Sequence, residues 1–279
     1  MKRKCRLNPT ATAGGVLILG MVSLTVLAPF LAPFSPLEVD VTRRFLPPFH
    51  GQHFLGTDAL GRDFWSRMLY GGRVAILVSS VSVAITMTVG TVLGMLAGYL
   101  GGWVDELISL VVNLFLGIPD LLLTLALVGI FPPGMGSLFL ALNLFGWVGL
   151  TRIIRGEALF LRSSHFVEGA KVLGAGTGYI LYRHILRNLV PTLTVWGSFR
   201  FGGFMIELAT LGYIGMGIQP PFPDWGMMLS DARPYLLSYP HLFFLPAVAV
   251  TMVALGANLL GEGLRDMFDV RFVRSPLLR

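Results

Sequence analysis

The sequence predicts an all-α polytopic membrane protein with six transmembrane helices and both termini in the cytoplasm. Three observations predict it. First, 54% of the 279 residues are hydrophobic and only 13% are charged, with a mean hydropathy of +0.73, whereas soluble domains run near a quarter charged. Second, the apolar residues are gathered into uncharged runs that match the roughly 20 residues a helix needs to cross a hydrocarbon core. Third, Lys and Arg are shared unevenly between the segments that join those runs. The 34 glycines and 17 prolines do not indicate a collagen or low-complexity chain, because the runs between them are long and aperiodic. A soluble enzyme, a nucleic-acid-binding domain and a disulfide scaffold are disfavoured by the same numbers.

The elements follow in order. No charge occurs from Leu7 to Leu37, and Gly14–Phe34 forms the first span. This run exceeds the apolar region of about 7–15 residues in a signal peptide, and Pro29 follows Ala28, so an uncleaved anchor is expected. Val74–Val104 is the second span. The third and fourth lie between Leu107 and Leu150, parted at Phe131-Pro132-Pro133-Gly134, where consecutive prolines lack backbone donors and favour a turn. The fifth covers about Leu193–Gly217 and the sixth about Leu242–Gly261. Residues 1–71 thus form an anchor helix and first outer loop, 72–271 a transmembrane core with a long inner loop over 152–191, and 272–279 a cytoplasmic tail.

The net charge is +6, and its distribution sets the orientation. Fourteen basic residues fall in the amino-terminal tail, in Arg152–Pro191 and after the sixth span; six fall on the opposite side. The positive-inside rule places the richer side in the cytoplasm. Cys5, the single cysteine, sits among Lys2, Arg3, Lys4 and Arg6 and is expected to be a reduced bystander.

The inner loop carries its own pattern. Ser163-Ser164 offers a cap for a helix starting near His165, on which Phe166, Ala170 and Leu173 would share a face. Gly174, Gly176 and Gly178 end that helix, and Ile180, Leu181, His184, Ile185 and Leu189 suggest a second short amphipathic helix. The spacing alone leaves two readings open: a helix that binds a partner's groove or one that rests on the bilayer interface.

At this loop the sequence resembles the inner-membrane permease subunits of ABC importers. Glu168-Gly169-Ala170, Lys171-Val172-Leu173 and Gly174, followed by Ile185-Leu186, match their loop motif. Gly169 replaces the usual Ala and Arg187 the usual Pro. The block Leu55–Ile76 (LGTDALGRDFWSRMLYGGRVAI), the block Leu211–Leu236 (LGYIGMGIQPPFPDWGMMLSDARPYL) and the ending Asn258–Arg271 (NLLGEGLRDMFDVR) are similar to those of dipeptide, oligopeptide and nickel permeases. The resemblance implies a bacterial-type inner-membrane location, a second permease subunit, two cytoplasmic ATPases and an extracytoplasmic substrate-binding protein. The substrate would be a peptide, or alternatively nickel or a metal chelate. It implies ATPase coupling through Glu168, Gly169, Ala170, Lys171, Gly174 and Ile185. It places Asp224, Trp225, Asp231 and Arg233 near the binding-protein dock or the gate.

The chain itself is not expected to be an enzyme. A P-loop requires G-x-x-x-x-G-K-[ST], and the three lysines, Lys2, Lys4 and Lys171, stand in no such context. ATP and Mg2+ would therefore belong to the partner subunits, with no cofactor or metal held here. No G-x-S-x-G or H-E-x-x-H occurs, so an intramembrane enzyme is a weaker reading, as is an ATP-independent secondary transporter. His50 and His53 are three residues apart, a spacing open to a metal contact or to an ordinary polar loop.

Charges inside spans are costly and point to a cavity or a partner. Asp120 follows Pro119 midway along the third span. Arg200 and Glu207 lie seven residues apart on one face of the fifth, beyond i,i+4 pairing. These three are candidates for a translocation pathway, or for pairing with a second subunit. Gly90, Gly94, Gly98 and Gly102 repeat every four residues and form a packing face, expected to be internal.

Overall fold

The computed structural model describes residues 8–132 and 134–268. Cys5, the basic residues before Leu7 and the tail 272–279 lie outside the described residues. The described residues form twelve α-helices: α1 Pro9–Val26, α2 Ala28–Leu31, α3 Phe64–Leu100, α4 Gly102–Leu116, α5 Asp120–Ile130, α6 Met135–Phe145, α7 Val148–Arg162, α8 His165–Val172, α9 Thr177–Tyr179, α10 Leu186–Tyr213, α11 Trp225–Ala232 and α12 His241–Phe268. A π-helix, Ile180–Ile185, joins α9 to α10.

Four of these units are long and apolar enough to cross a membrane: α1, α3, α6 with α7, and α12. A fifth results if α4 and α5, bent by 84° at their junction, form one span. The expected fifth sequence span corresponds to α10. At 28 residues it is long enough, but Arg187, Arg200 and Glu207 dilute its apolar character. The described chain therefore yields four or five spans by composition, where the sequence led us to expect six.

Glycines decide how closely the helices approach. A Cβ on Gly94 would stand 2.7 Å from Ile154 Cβ and 2.8 Å from the Thr151 carbonyl; Gly90 and Gly98 likewise face Leu150 and Ala158. Three of the four repeated glycines thus seat α3 directly on α7, the internal packing expected of them, while Gly102 faces open space. A second seam joins α1 to α12, where Gly14, Gly256 and Gly263 meet Leu260, Leu17 and Ala11. In lipid such close van der Waals contact substitutes for the hydrophobic drive that water would supply. Asn8, the cap of α1, also donates to Asp266 at 3.2 Å, so the two ends of the described chain meet.

The outer loop before α3 is held by two aspartates. Asp58 Oδ1 accepts from the Leu60 and Arg62 amides, which shapes the turn. Asp63 caps α3 by accepting from the Ser66 amide at 2.8 Å, a cap of the usual carboxylate kind. His53 is buried, stacked on Phe34 and bonded through Nδ1 to Asp63 at 2.9 Å. Of the two readings of the His50/His53 pair, the geometry fits a structural loop residue. Among the described residues no group of three or more His, Cys, Asp or Glu side chains is positioned to hold a metal.

Two apolar cores result. One lies around the start of α3 and contains Phe64, Leu138, Leu142, Phe204, Trp225 and Val253. The other lies at its opposite end and contains Tyr99, Ile154, Ala158, Val167, Ile180 and Ile185. Gly94→Leu should force α3 and α7 apart and destabilise the solubilised protein by about 1–3 kcal/mol. Gly20→Leu, which faces open space, should leave the melting temperature nearly unchanged. Thermal unfolding of both variants in detergent checks this.

Candidate functional site

The inner loop folds into a hairpin. α7 continues to Arg162, so much of what the sequence assigns to the loop is the inner end of a long helix. Arg155 fixes that end: Nη2 donates to Asp105 Oδ2 at 2.6 Å and Nε donates to Oδ1. α8 begins at His165 as expected. Ser164 occupies the cap position, but its hydroxyl donates back to the Leu161 carbonyl instead of capping. The inward face also differs from the expected one. Val167 and Ala170 are buried, whereas Phe166 is exposed and Val172 and Leu173 are 87% and 88% exposed. Helical periodicity identifies which residues share a face but not which face the rest of the chain covers.

Gly174 ends α8 with φ +82°. The Ala175 amide reaches the Ala170 carbonyl at 3.0 Å and the Gly174 amide reaches Lys171 at 3.0 Å. This is the paired closure of a Schellman cap, which favours glycine. Beyond it the expected short second helix is instead the π-helix and the first turns of α10, continuous through Arg187. Of the predicted coupling residues, Glu168, Gly169, Lys171 and Gly174 are exposed. Ala170 and Ile185 are buried in the hairpin's own core, so they shape the hairpin and are not surface contacts. Lys171 Nζ lies 5.3 Å from the centre of the Tyr99 ring.

A second constellation lies at mid-depth. Arg200 sits halfway along α10. Its Nη2 is 3.4 Å from Asp120 Oδ2 and 3.6 Å from Glu207 Oε2, and its guanidinium stacks on the Phe204 ring at 4.1 Å. The three residues taken from the sequence are therefore brought together. The seven-residue spacing did not suggest an Arg200–Glu207 contact, but an extended arginine lying along the helix spans it. Thr124 was missed; its hydroxyl donates to Glu207 Oε1 at 3.1 Å, and its place one turn after Asp120 was the available signal. Two helix breaks meet here, Gly117-Ile118-Pro119 between α4 and α5 and Gly146-Trp147 between α6 and α7. With Arg200 and Trp196 they line a cleft of 360 Å³. Broken helices at membrane depth occur where backbone faces protein or a cavity.

The outer segment after α10 separates into two environments. Asp224 and Trp225 are 1% and 2% exposed; Trp225 Nε1 donates to the Met68 carbonyl at 2.8 Å, and Asp224 Oδ2 accepts from the Met227 amide at 3.1 Å. Buried in this way, the pair anchors α11 and presents no docking surface. Asp231 and Arg233 remain exposed. Asp231 approaches Arg62, which together with Arg67 holds Asp58 in a buried charge cluster that the sequence reading did not single out. Burial pushes the Asp224 carboxyl up from 3.8 to about 6.

Long apolar helices, a cleft with fixed charges among them and a helical hairpin define a multi-pass helical membrane protein. Residues 90–274 match the model of the binding-protein-dependent transport system inner membrane component, and residues 2–48 match the N-terminal TM domain of oligopeptide transport permease C. The chain belongs to the binding-protein-dependent transport system inner membrane component family, and it is a multi-pass protein of the bacterial inner membrane. It is 37% identical over 259 residues to the glutathione transport system permease protein GsiD of Pectobacterium atrosepticum, covering 93% of this chain and 86% of the relative. It is 38% identical over 262 residues to the probable D,D-dipeptide transport system permease protein DdpC of Escherichia coli, covering 94% and 88%. It is 34% identical over 267 residues to the dipeptide transport system permease protein DppC of Alkalihalophilus pseudofirmus, covering 96% and 88%.

Two outcomes test these assignments. Folded Asp224 binds its proton more tightly than the unfolded chain does, so its contribution to stability is complete below about pH 4. That contribution is lost as pH rises through about 6, on the order of 3 kcal/mol in all. Asp224→Asn should flatten that part of the stability–pH curve, measured by thermal unfolding from pH 4 to 7. Separately, Gly174→Ala should cost about 1 kcal/mol, because φ is positive there, and amide exchange in α8 should quicken.

Proposed function

We propose that the chain is one of two permease subunits of an ATP-driven importer that moves small peptides delivered by a binding protein. In this reading α10 is the fifth of six crossings, and both chain ends lie in the cytoplasm. A 28-residue helix spans about 42 Å; of its three charges, Arg187 lies in the first turn, and Arg200 and Glu207 are paired with each other. The meeting of Asn8 with Asp266 and the basic inner segments support the same orientation.

The observation that carries the reading is the hairpin surface. Val172, Leu173, Phe166, Tyr179 and Tyr182 are exposed apolar side chains on a segment whose opposite face is locked into a core. A rigid apolar knob with Glu168 and Lys171 beside it suits the cleft of a cytoplasmic ATPase. ATP and Mg2+ belong to that partner. Closure of the ATPase pair would shift the hairpin, and α7 and α10 would carry the displacement to the cleft. Asp120, Arg200 and Glu207 then line the pathway. The exposed Asp231 and Arg233 border the surface that receives the binding protein.

Dipeptides, D,D-dipeptides and glutathione, the substrates in the names of the relatives, share an α-ammonium and a carboxylate but differ in side chains and chirality. These names favour peptides over nickel or a metal chelate. The test is co-purification of the ATPase subunits with the tagged permease pair. Leu173→Asp alters only the exposed face and should reduce ATPase recovery and peptide uptake by about tenfold or more. Full recovery, or uptake by this chain alone under an ion gradient, would defeat the proposal.

A further inference from the structure

We propose that the mid-depth cleft receives the α-ammonium group of the substrate, with Asp120 as its carboxylate partner. This rests on the reading of the cleft as the pathway. Three charged side chains meet there, two carboxylates and one guanidinium, so the ionised cluster carries one net negative charge. An uncompensated charge at this depth is costly, and a monocation is its complement. Arg200 and Thr124 hold Glu207 in place, and its side chain is 12% exposed, whereas that of Asp120 is 50% exposed and opens on the cleft. Asp120 is therefore the carboxylate with acceptor capacity to spare.

The surroundings favour the same sign. The α5 amino-terminus offsets only part of the Asp120 charge, and the last turn of α4 borders the same cleft through Phe115 and Leu116. Phe115, Phe145 and Trp196 line part of the wall, and aromatic rings attract a desolvated cation. Arg200 is stacked on Phe204 and shared between two carboxylates, which restrains it from meeting the substrate as a free positive charge. A site of this kind reads one charged group and leaves side chain and chirality unread.

The experiment uses the complete importer in proteoliposomes, with the binding protein loaded to equal occupancy by dialanine or by N-acetyl-dialanine. The wild-type complex should move the free amine faster by about tenfold or more, the scale of one charge-assisted contact. Asp120→Asn should bring the ratio of the two rates toward one by slowing the free amine, and Asp120→Glu should keep it. If the asparagine variant fails to assemble, Glu207→Gln supplies the same reading, because it also removes the net charge. A wild-type ratio near one overturns the proposal. So does an unchanged ratio in variants whose rates fall together, the result expected if Asp120 instead pairs with a cation of the second permease. If the wild-type complex moves no peptide at all, the peptide reading itself falls and this proposal falls with it.

Discussion

The close approach of α3 to α7 is the contact on which the remaining architecture depends. Gly90, Gly94 and Gly98 leave no side chain between the two backbones, and α7 presses Leu150, Ile154 and Ala158 into the space. Those same residues continue into the inner core, where Val167 and Ala170 of the hairpin pack with Ile180 and Ile185. The outer end of α7 supplies Val148 and Gly149 to the wall of the cleft. One helix of 15 residues thus touches both the hairpin and the cleft, about 22 Å apart along its axis. The Ile180–Ile185 π-helix and α10 together make the same connection, through Ile185 and Leu189 at one end and Trp196 and Arg200 further along. A displacement of the hairpin therefore has two stiff, close-packed routes to the cleft, and close-packed interiors shift as bodies rather than deform.

Polar groups around the cleft are arranged so that the helix charges there contact one another. Arg200 contacts Asp120 and Glu207, and Thr124 contacts Glu207. Asn143 donates to Ser82 at 3.0 Å across α6 and α3. The ring of Phe204 shields one face of the guanidinium. Removing one member leaves the others desolvated without a partner, which costs more than the contact itself contributes. The cleft is consequently a place where charge is fixed in position before any ligand arrives. Such preorganisation allows a single ionic contact to discriminate.

Much of this was legible in the sequence, and the misses share a cause. The uncharged runs located α1, α3 and α12, and Pro119 marked the break that parts α4 from α5. Gly174 marked the end of α8. Local pattern could not supply side-chain direction. Phe166, Ala170 and Leu173 share a face by spacing, yet the chain covers Val167 and Ala170 because that side meets Ile180 and Ile185. The π-helix over Ile180–Ile185 has no compositional signature, and it joins two segments that periodicity reads as separate. Asp224 and Trp225 look like exposed loop residues by type, but close packing of Gly212 against Gly226 draws them inward. By type and position Arg62 and Arg67 read as ordinary loop charges. Their burial depends on Asp58 and Asp231, and Asp231 is distant in sequence.

The hairpin's exit shows how a departure from a motif can be absorbed. Where similar permeases carry Pro, this chain has Arg187, and α10 passes through it without interruption. Pro191 follows inside the same helix. A proline removes the amide that would bond to the carbonyl four residues earlier and crowds that carbonyl, and four residues before Pro191 is Arg187. The weakened point of the ladder is thus retained at Arg187, supplied from the other end of the hydrogen bond. Immediately before it, the π-helix loosens the first turns with its i→i+5 pattern. The exit combines a wide turn and a missing bond at adjacent positions, between a rigid hairpin core and the helix that carries Arg200. In this chain, then, the irregular stretch of the ladder is Ile180–Arg187, and a proline at 187 is not needed to form it.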